Sequence, residues 1–129
     1  MFISELEIEK LKEKIKINQS NSERLILHEK NSQSIQIMCI AFKKNYKYPP
    51  IADKEKGDIT FIVLEGKLMI TTYNVSDNKK IDSQVICPKE IYKIPRSIYR
   101  ETHSIGVNES IFMEIINGPY NRENRISMS

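Results

Sequence analysis

Tryptophan is missing from this 129-residue chain, and cysteine and histidine occur only twice each. Two cysteines and two histidines at unrelated spacings give a zinc site little to work with. Cys39 and Cys87 each sit in an apolar run, IQIMCIAF and SQVICP, which reads as a pair of buried free thiols. Only four glycines are present, and no Gly-rich phosphate loop, dinucleotide fingerprint, nucleophile elbow or HExxH motif occurs, which argues against ATP- or NAD-dependent chemistry. No apolar run is long enough to cross a membrane as a helix. The opening MFISELEIEK lacks the basic-then-apolar order of a secretory leader, so the expected location is the cytoplasm. An excess of one charge is lacking too. Twenty Lys and Arg face seventeen Asp and Glu, a net charge of +3, and the basic residues are dispersed, without the basic face that nucleic-acid binding requires.

What is present is an ordinary globular composition, 40% hydrophobic and 29% charged, in a chain long enough for one domain with its own core. Ser4 and Glu7 have the spacing of a capping box, and Ile3 can staple to Ile8. Ile8, Leu11 and Ile15 continue at helical spacing, which predicts one amphipathic helix over about residues 4–16. The turn formers NQSNS end it. From Arg24 the period shortens to that of strands. SIQIMCIAF, ITFIVLEG, KLMITTYNV, SQVICP, EIYKIP and SIFMEII are short runs rich in β-branched and aromatic residues. Between them lie KKNYKYPP, the Glu65-Gly66 turn, residues 76–79, Pro88-Lys89 and residues 106–108. No second helical pattern intervenes, which excludes alternating βαβ units and predicts an all-β sandwich or barrel over about residues 24–120. The polar tail, residues 121–129, is expected to fray.

This order of strands and turns resembles small single-domain cupins, and the chain as a whole resembles the WbuC family of cupin-fold metalloproteins. The matching features are the short N-terminal helix, Arg24 and His28 before the first strand, Gln36 within SIQIMCIAF, YKYPP, FIVLEGKL, TTYN, YKIPRSIYRETHS and the ending ME-II-NGPY. Gly118-Pro119-Tyr120 is the most family-specific of them. The resemblance implies a cupin-type β-barrel or jelly roll with a short helix prefixed, a role in bacterial O-antigen or capsule biosynthesis, and a homodimer. It also implies a metal held by Pro-His-x-His, a Glu seven residues before the hairpin Gly, and a His five residues after a Pro. Counted on this chain, those places fall on Pro49 to Ala52, on Ile59 (with Asp58 adjacent) and on Arg100. None is a metal donor, and a guanidinium repels a cation. The resulting expectation is a metal-free cupin without a cofactor.

The candidate ligand-binding residues are Gln36, Tyr48, Asp58, Arg100 and His103. Arg100 has two readings: a planar fork for a phosphate, carboxylate or nucleotide-sugar diphosphate, or an internal ion pair with Asp58 or Glu101. Strand alternation places Tyr99, Glu101 and His103 on one face and Arg100 on the other. If the histidine face points inward, His103 can act as acid or base. Tyr46 and Tyr48 flank the Pro pair, where they can stack on a sugar ring or shield the barrel mouth. His28 can help close a pocket or stay at the surface. A buried Gln36 needs hydrogen-bond partners. Three functions follow: binding of a sugar or nucleotide-sugar, a metal-independent sugar isomerase or epimerase using His103, or a non-catalytic structural module with a filled barrel.

Overall fold

The Ser4 side chain accepts from the backbone N–H of Leu6 at 3.3 Å, and the Ser4 N–H donates to Glu7 Oε2 at 2.9 Å. Donors that a first helical turn leaves open are thereby satisfied. The helix they start, α1, runs Glu5–Asn18 and ends on Gln19 at φ 51°. Leu11 and Ile15 bury against Cys39, Ala41 and Ile111, with Ile3 and Ile8 packed on the same cluster. The computed structural model describes residues 3–30 and 33–129.

Ten strands follow: β1 (Ser22–Ile26), β2 (Ile35–Phe42), β3 (Lys47–Asp53), β4 (Asp58–Glu65), β5 (Leu68–Tyr73), β6 (Lys80–Ile86), β7 (Ile91–Pro95), β8 (Tyr99–Ser104), β9 (Ser110–Asn117) and β10 (Arg125–Ser127). They form two antiparallel sheets, in the orders β1-β2-β9-β4-β7 and β10-β3-β8-β5-β6. Without the edge strands β1 and β10, the orders 2-9-4-7 and 3-8-5-6 make an eight-stranded jelly roll. The period of two assigns the faces. On β2, Ile40 and Phe42 join the interior while Cys39 and Ala41 lie under α1. Ile59, Phe61 and Val63 of β4, Leu68 and Ile70 of β5, Ile86 of β6 and Ile94 of β7 complete the apolar core with Phe112 and Ile116. Gly66 turns the β4–β5 hairpin at φ 78°, and a Cβ there would sit 2.7 Å from Ser110 Oγ, so only glycine fits.

Three expectations change. The KYPP of YKYPP, expected as a loop, opens β3, with Tyr46 just before it. Its register shifts between Tyr48 and Ile51, and this irregularity lets Pro49 and Pro50 stand in an edge-side strand without breaking a ladder they cannot donate to. The segment around Arg24 forms β1 and pairs with β2. The tail is docked: β10 pairs with β3, Asn124 Nδ2 donates to Glu55 Oε1 at 2.8 Å, and the Met128 N–H donates to the Pro50 carbonyl at 3.2 Å. Among the described residues, no helix is long and apolar enough to cross a membrane.

Candidate functional site

The interior is divided by chemistry. On β8, Arg100 and Thr102 point between the sheets, beside Ile51 and Tyr48 of β3 and opposite the core residue Ile70 of β5. Arg100 is 3% exposed, and a guanidinium that deeply buried needs acceptors. Its Nη2 donates to Asp53 Oδ2 at 3.3 Å and its Nη1 to the Arg96 carbonyl at 3.5 Å. Asp53, 2% exposed, is a hub. Its Oδ2 also accepts from Arg96 Nε at 3.3 Å, and its Oδ1 lies 3.5 Å from Arg125 Nε. Arg96 is fully buried. It donates to the carbonyl of Asn117 at 3.0 Å and to that of Pro119 at 3.2 Å, and its Nη2 lies 3.7 Å from Glu55. Gly118 sits between those two carbonyls at φ 110°, where a Cβ would come within 2.7 Å of Arg96 Nη1. The Gly118-Pro119 turn is thus built to wrap a buried arginine.

Glu114 of β9 enters the same space. Its cross-strand neighbours are Met38 and Phe61, so hydrocarbon flanks it on both sides. Burial pushes its carboxyl above the ordinary range, against the pull of Arg100, Arg125 and Arg24. Burial likewise lowers Arg100, which Glu114 and Asp53 oppose. Arg24 comes from β1, exposed at the mouth, and has no ion-pair partner among the described residues. Arg125 comes from β10 and stands over the Tyr120 ring, 5.1 Å from its centroid. An inner cavity of about 40 Å³, open to solvent, is bordered by Arg24, Tyr48, Arg100, Thr102, Glu114 and Arg125 together with apolar side chains of β2 and β3. An outer cavity of about 150 Å³ adjoins it across the shared residues Arg24, Met38 and Arg125, and is bordered further by His28, Gln36 and Tyr120.

The structure brings three of the expected site residues to these cavities: Arg100 and Tyr48 to the inner one and Gln36 to the outer one, beside His28. Gln36 Nε2 donates to the carbonyls of Gln33 at 3.0 Å and Lys30 at 3.3 Å, which ties the β1–β2 connection to the cavity wall. His28 Nδ1 accepts from the Ile37 N–H at 3.2 Å. Two candidates lie elsewhere. Asp58 alternates outward from buried Ile59 and pairs with Lys93 at 3.3 Å. His103, with Tyr99 and Glu101, is on the outer face of its sheet, because Arg100 and Thr102 occupy the inner one. Arg100 therefore pairs with neither Asp58 nor Glu101; Glu101 lies 3.9 Å from Lys47 instead. Tyr46 packs edge-on against Phe42 with ring centroids 5.0 Å apart, so it serves the core. Sequence reasoning missed Asp53, Arg96, Glu114 and Arg125. A lone Glu in the apolar run IFMEII was the signal available for Glu114.

A divalent metal in such a barrel needs several imidazole or carboxylate donors converging at about 2 Å. Around Arg100 stand Ile51, Tyr48 and Thr102, with Glu114 the one carboxylate lining the cavity. Among the described residues, no three His, Cys, Asp or Glu side chains gather as ligands. The donor set does not fit a metal ion.

No protein-family model matches the sequence, and no curated protein does. Solved structures do match in shape. Recombinant oxalate oxidase in complex with glycolate superposes with a TM-score of 0.66 at 18% identity, over 83% of this chain and 55% of that one. Bacillus subtilis oxalate decarboxylase gives 0.69 at 14% identity, over 84% and 28%. CapF with the inhibitor 3-isopropenyl-tropolone gives 0.67 at 15% identity, over 83% and 35%. The chain therefore spans about half the length of oxalate oxidase and a smaller share of the other two. At these identities the likeness concerns fold alone: the chain is a cupin-type jelly-roll barrel with one N-terminal helix.

Proposed function

We propose that this chain is a metal-free, WbuC-like cupin that binds a sugar or nucleotide-sugar in bacterial surface-polysaccharide biosynthesis. The observation that carries this reading is the arginine-lined cavity, with Arg100 where the resembling family places its last histidine ligand. A buried cationic cavity in place of a metal centre is suited to holding an anionic ligand by charge-assisted hydrogen bonds. Tyr120, Tyr48, Gln36 and His28 border the same space. An isomerase centred on His103 has no support, since that side chain points away from the cavity. A purely structural barrel gives no reason for the buried Arg100 to border a cleft that opens to solvent.

The test is a thermal-shift screen of nucleotide-sugars, free sugars and their charged derivatives. A ligand that binds only the folded state raises the melting temperature in proportion to the logarithm of its concentration above Kd. A rise with at least one sugar class supports the proposal; flat responses across the panel contradict it.

A further inference from the structure

The two cavities differ in size and polarity in a way that narrows the ligand, given that it is a sugar derivative as proposed above. A water-sized group occupies about 10–15 Å³ of cavity volume. The inner cavity of about 40 Å³ therefore holds on the order of three heavy atoms, the number in a carboxylate. A cavity of about 150 Å³ takes one benzene, and the outer one measures about 150 Å³, room for one six-membered ring. Both spaces open to solvent, so these volumes describe the part of a ligand held against the protein.

Charge agrees with size. Four guanidiniums, Arg24, Arg96, Arg100 and Arg125, meet three carboxylates, Asp53, Glu55 and Glu114. Glu55 pairs with Arg96, Asp53 is shared by Arg96, Arg100 and Arg125, and Arg24, Arg100 and Arg125 border the inner cavity with Glu114 beside them. The guanidiniums outnumber the carboxylates, an excess that favours an anionic ligand group. A planar guanidinium fork suits a planar carboxylate.

We infer that the ligand is a sugar acid, a single six-membered ring bearing one carboxylate, with the carboxylate in the inner cavity among Arg24, Arg100 and Arg125 and the ring in the outer cavity beside Tyr120. The ring hydroxyls then face Gln36 and His28. Arg24 and Arg125 come from β1 and β10, the two strands added to the jelly-roll frame, so each added strand contributes one arm of the clasp.

Isothermal titration calorimetry of the full chain with D-glucuronate, D-galacturonate and D-mannuronate, beside glucose, galactose, mannose, their UDP or GDP conjugates, acetate and inorganic phosphate, tests this. A uronate should bind about tenfold or more tightly than its parent hexose, because charge-assisted bonds set the difference. Arg24→Gln, at the exposed mouth and outside the core, should weaken the uronate about tenfold while leaving the melting temperature unchanged. Arg100→Met should abolish binding, with circular dichroism checking that it folds. A hexose binding as tightly as its uronate, or a nucleotide-sugar binding where uronates do not, overturns the sugar-acid assignment and leaves the sugar-binding proposal standing. Acetate or phosphate matching the uronates overturns the ring placement, and an unaffected Arg24→Gln overturns the clasp. Silence from every sugar overturns both readings.

Discussion

The two sides of the barrel are built from one set of sheets and have opposite interiors. On the side of β4, β5, β6 and β7, the inward residues include Ile59, Phe61, Val63, Leu68, Ile70, Ile86 and Ile94, all buried and apolar. On the side of β1, β2, β3, β8, β9 and β10 lie four arginines and their acids, and every strand residue bordering the two cavities comes from these strands. The apolar side contributes stability by burial, about 1.5–3 kcal/mol for each large aliphatic or aromatic side chain. The charged side does not follow from stability. A buried ion network often contributes less than a hydrophobic filling of the same volume. On the reading proposed above, retaining one beside a cavity serves binding, while β1 and β10 also cover the edges of β2 and β3.

Substitutions on the two sides should therefore fail differently. Arg96→Ala is the most damaging change expected. It removes one of the three arginines around Asp53 and orphans the Asn117 and Pro119 carbonyls, at about 3–5 kcal/mol in urea unfolding; a loss under about 1 kcal/mol would mean that the network is ornamental. Phe61→Ala, on the apolar side, should cost a similar ~3–5 kcal/mol but leave ligand affinity intact in the folded fraction. Gly118→Ala should cost roughly 1–3 kcal/mol from its left-handed backbone, plus the displacement of Arg96.

Glu114 gives a smaller effect with a defined sign. Its folded pKa is raised by burial, so its contribution to stability is fully present below the unfolded carboxyl value and is lost as pH rises through the folded one. Stability should decline with rising pH from the mildly acidic range upward. Glu114→Gln should flatten that decline and melt higher than the parent at neutral pH; a variant that melts lower there would show that ionised Glu114 stabilises the arginines more than its burial costs. Least of all, Ser4→Ala should cost about 1 kcal/mol through loss of the helix cap, with the cavity unaffected.

Much of this was legible in the sequence. The capping box, the α1 pattern, the Gly66 hairpin and the alternation of Arg100 against Tyr99, Glu101 and His103 are all local signals with a fixed period. The face that Arg100 takes was not, because a period of two separates the sides of a strand without saying which is inward. The YKYPP strand was hidden by prolines that a bulge accommodates. Asp53 stands in the charged stretch ADKEKGD and resembles its solvated neighbours; only the return of Arg96, Arg100 and Arg125 from distant parts of the chain buries it. Arg125 belongs to a tail whose own structure is one short turn, Arg122–Asn124, and which β3 pairs into the sheet.

On the reading proposed above, arginines organise the cavity without a metal. Elemental analysis of protein purified without chelator measures this directly. A metal-free site predicts manganese, iron, nickel and zinc all far below one equivalent per chain, whereas stoichiometric content of any of them, retained through dialysis, would contradict it.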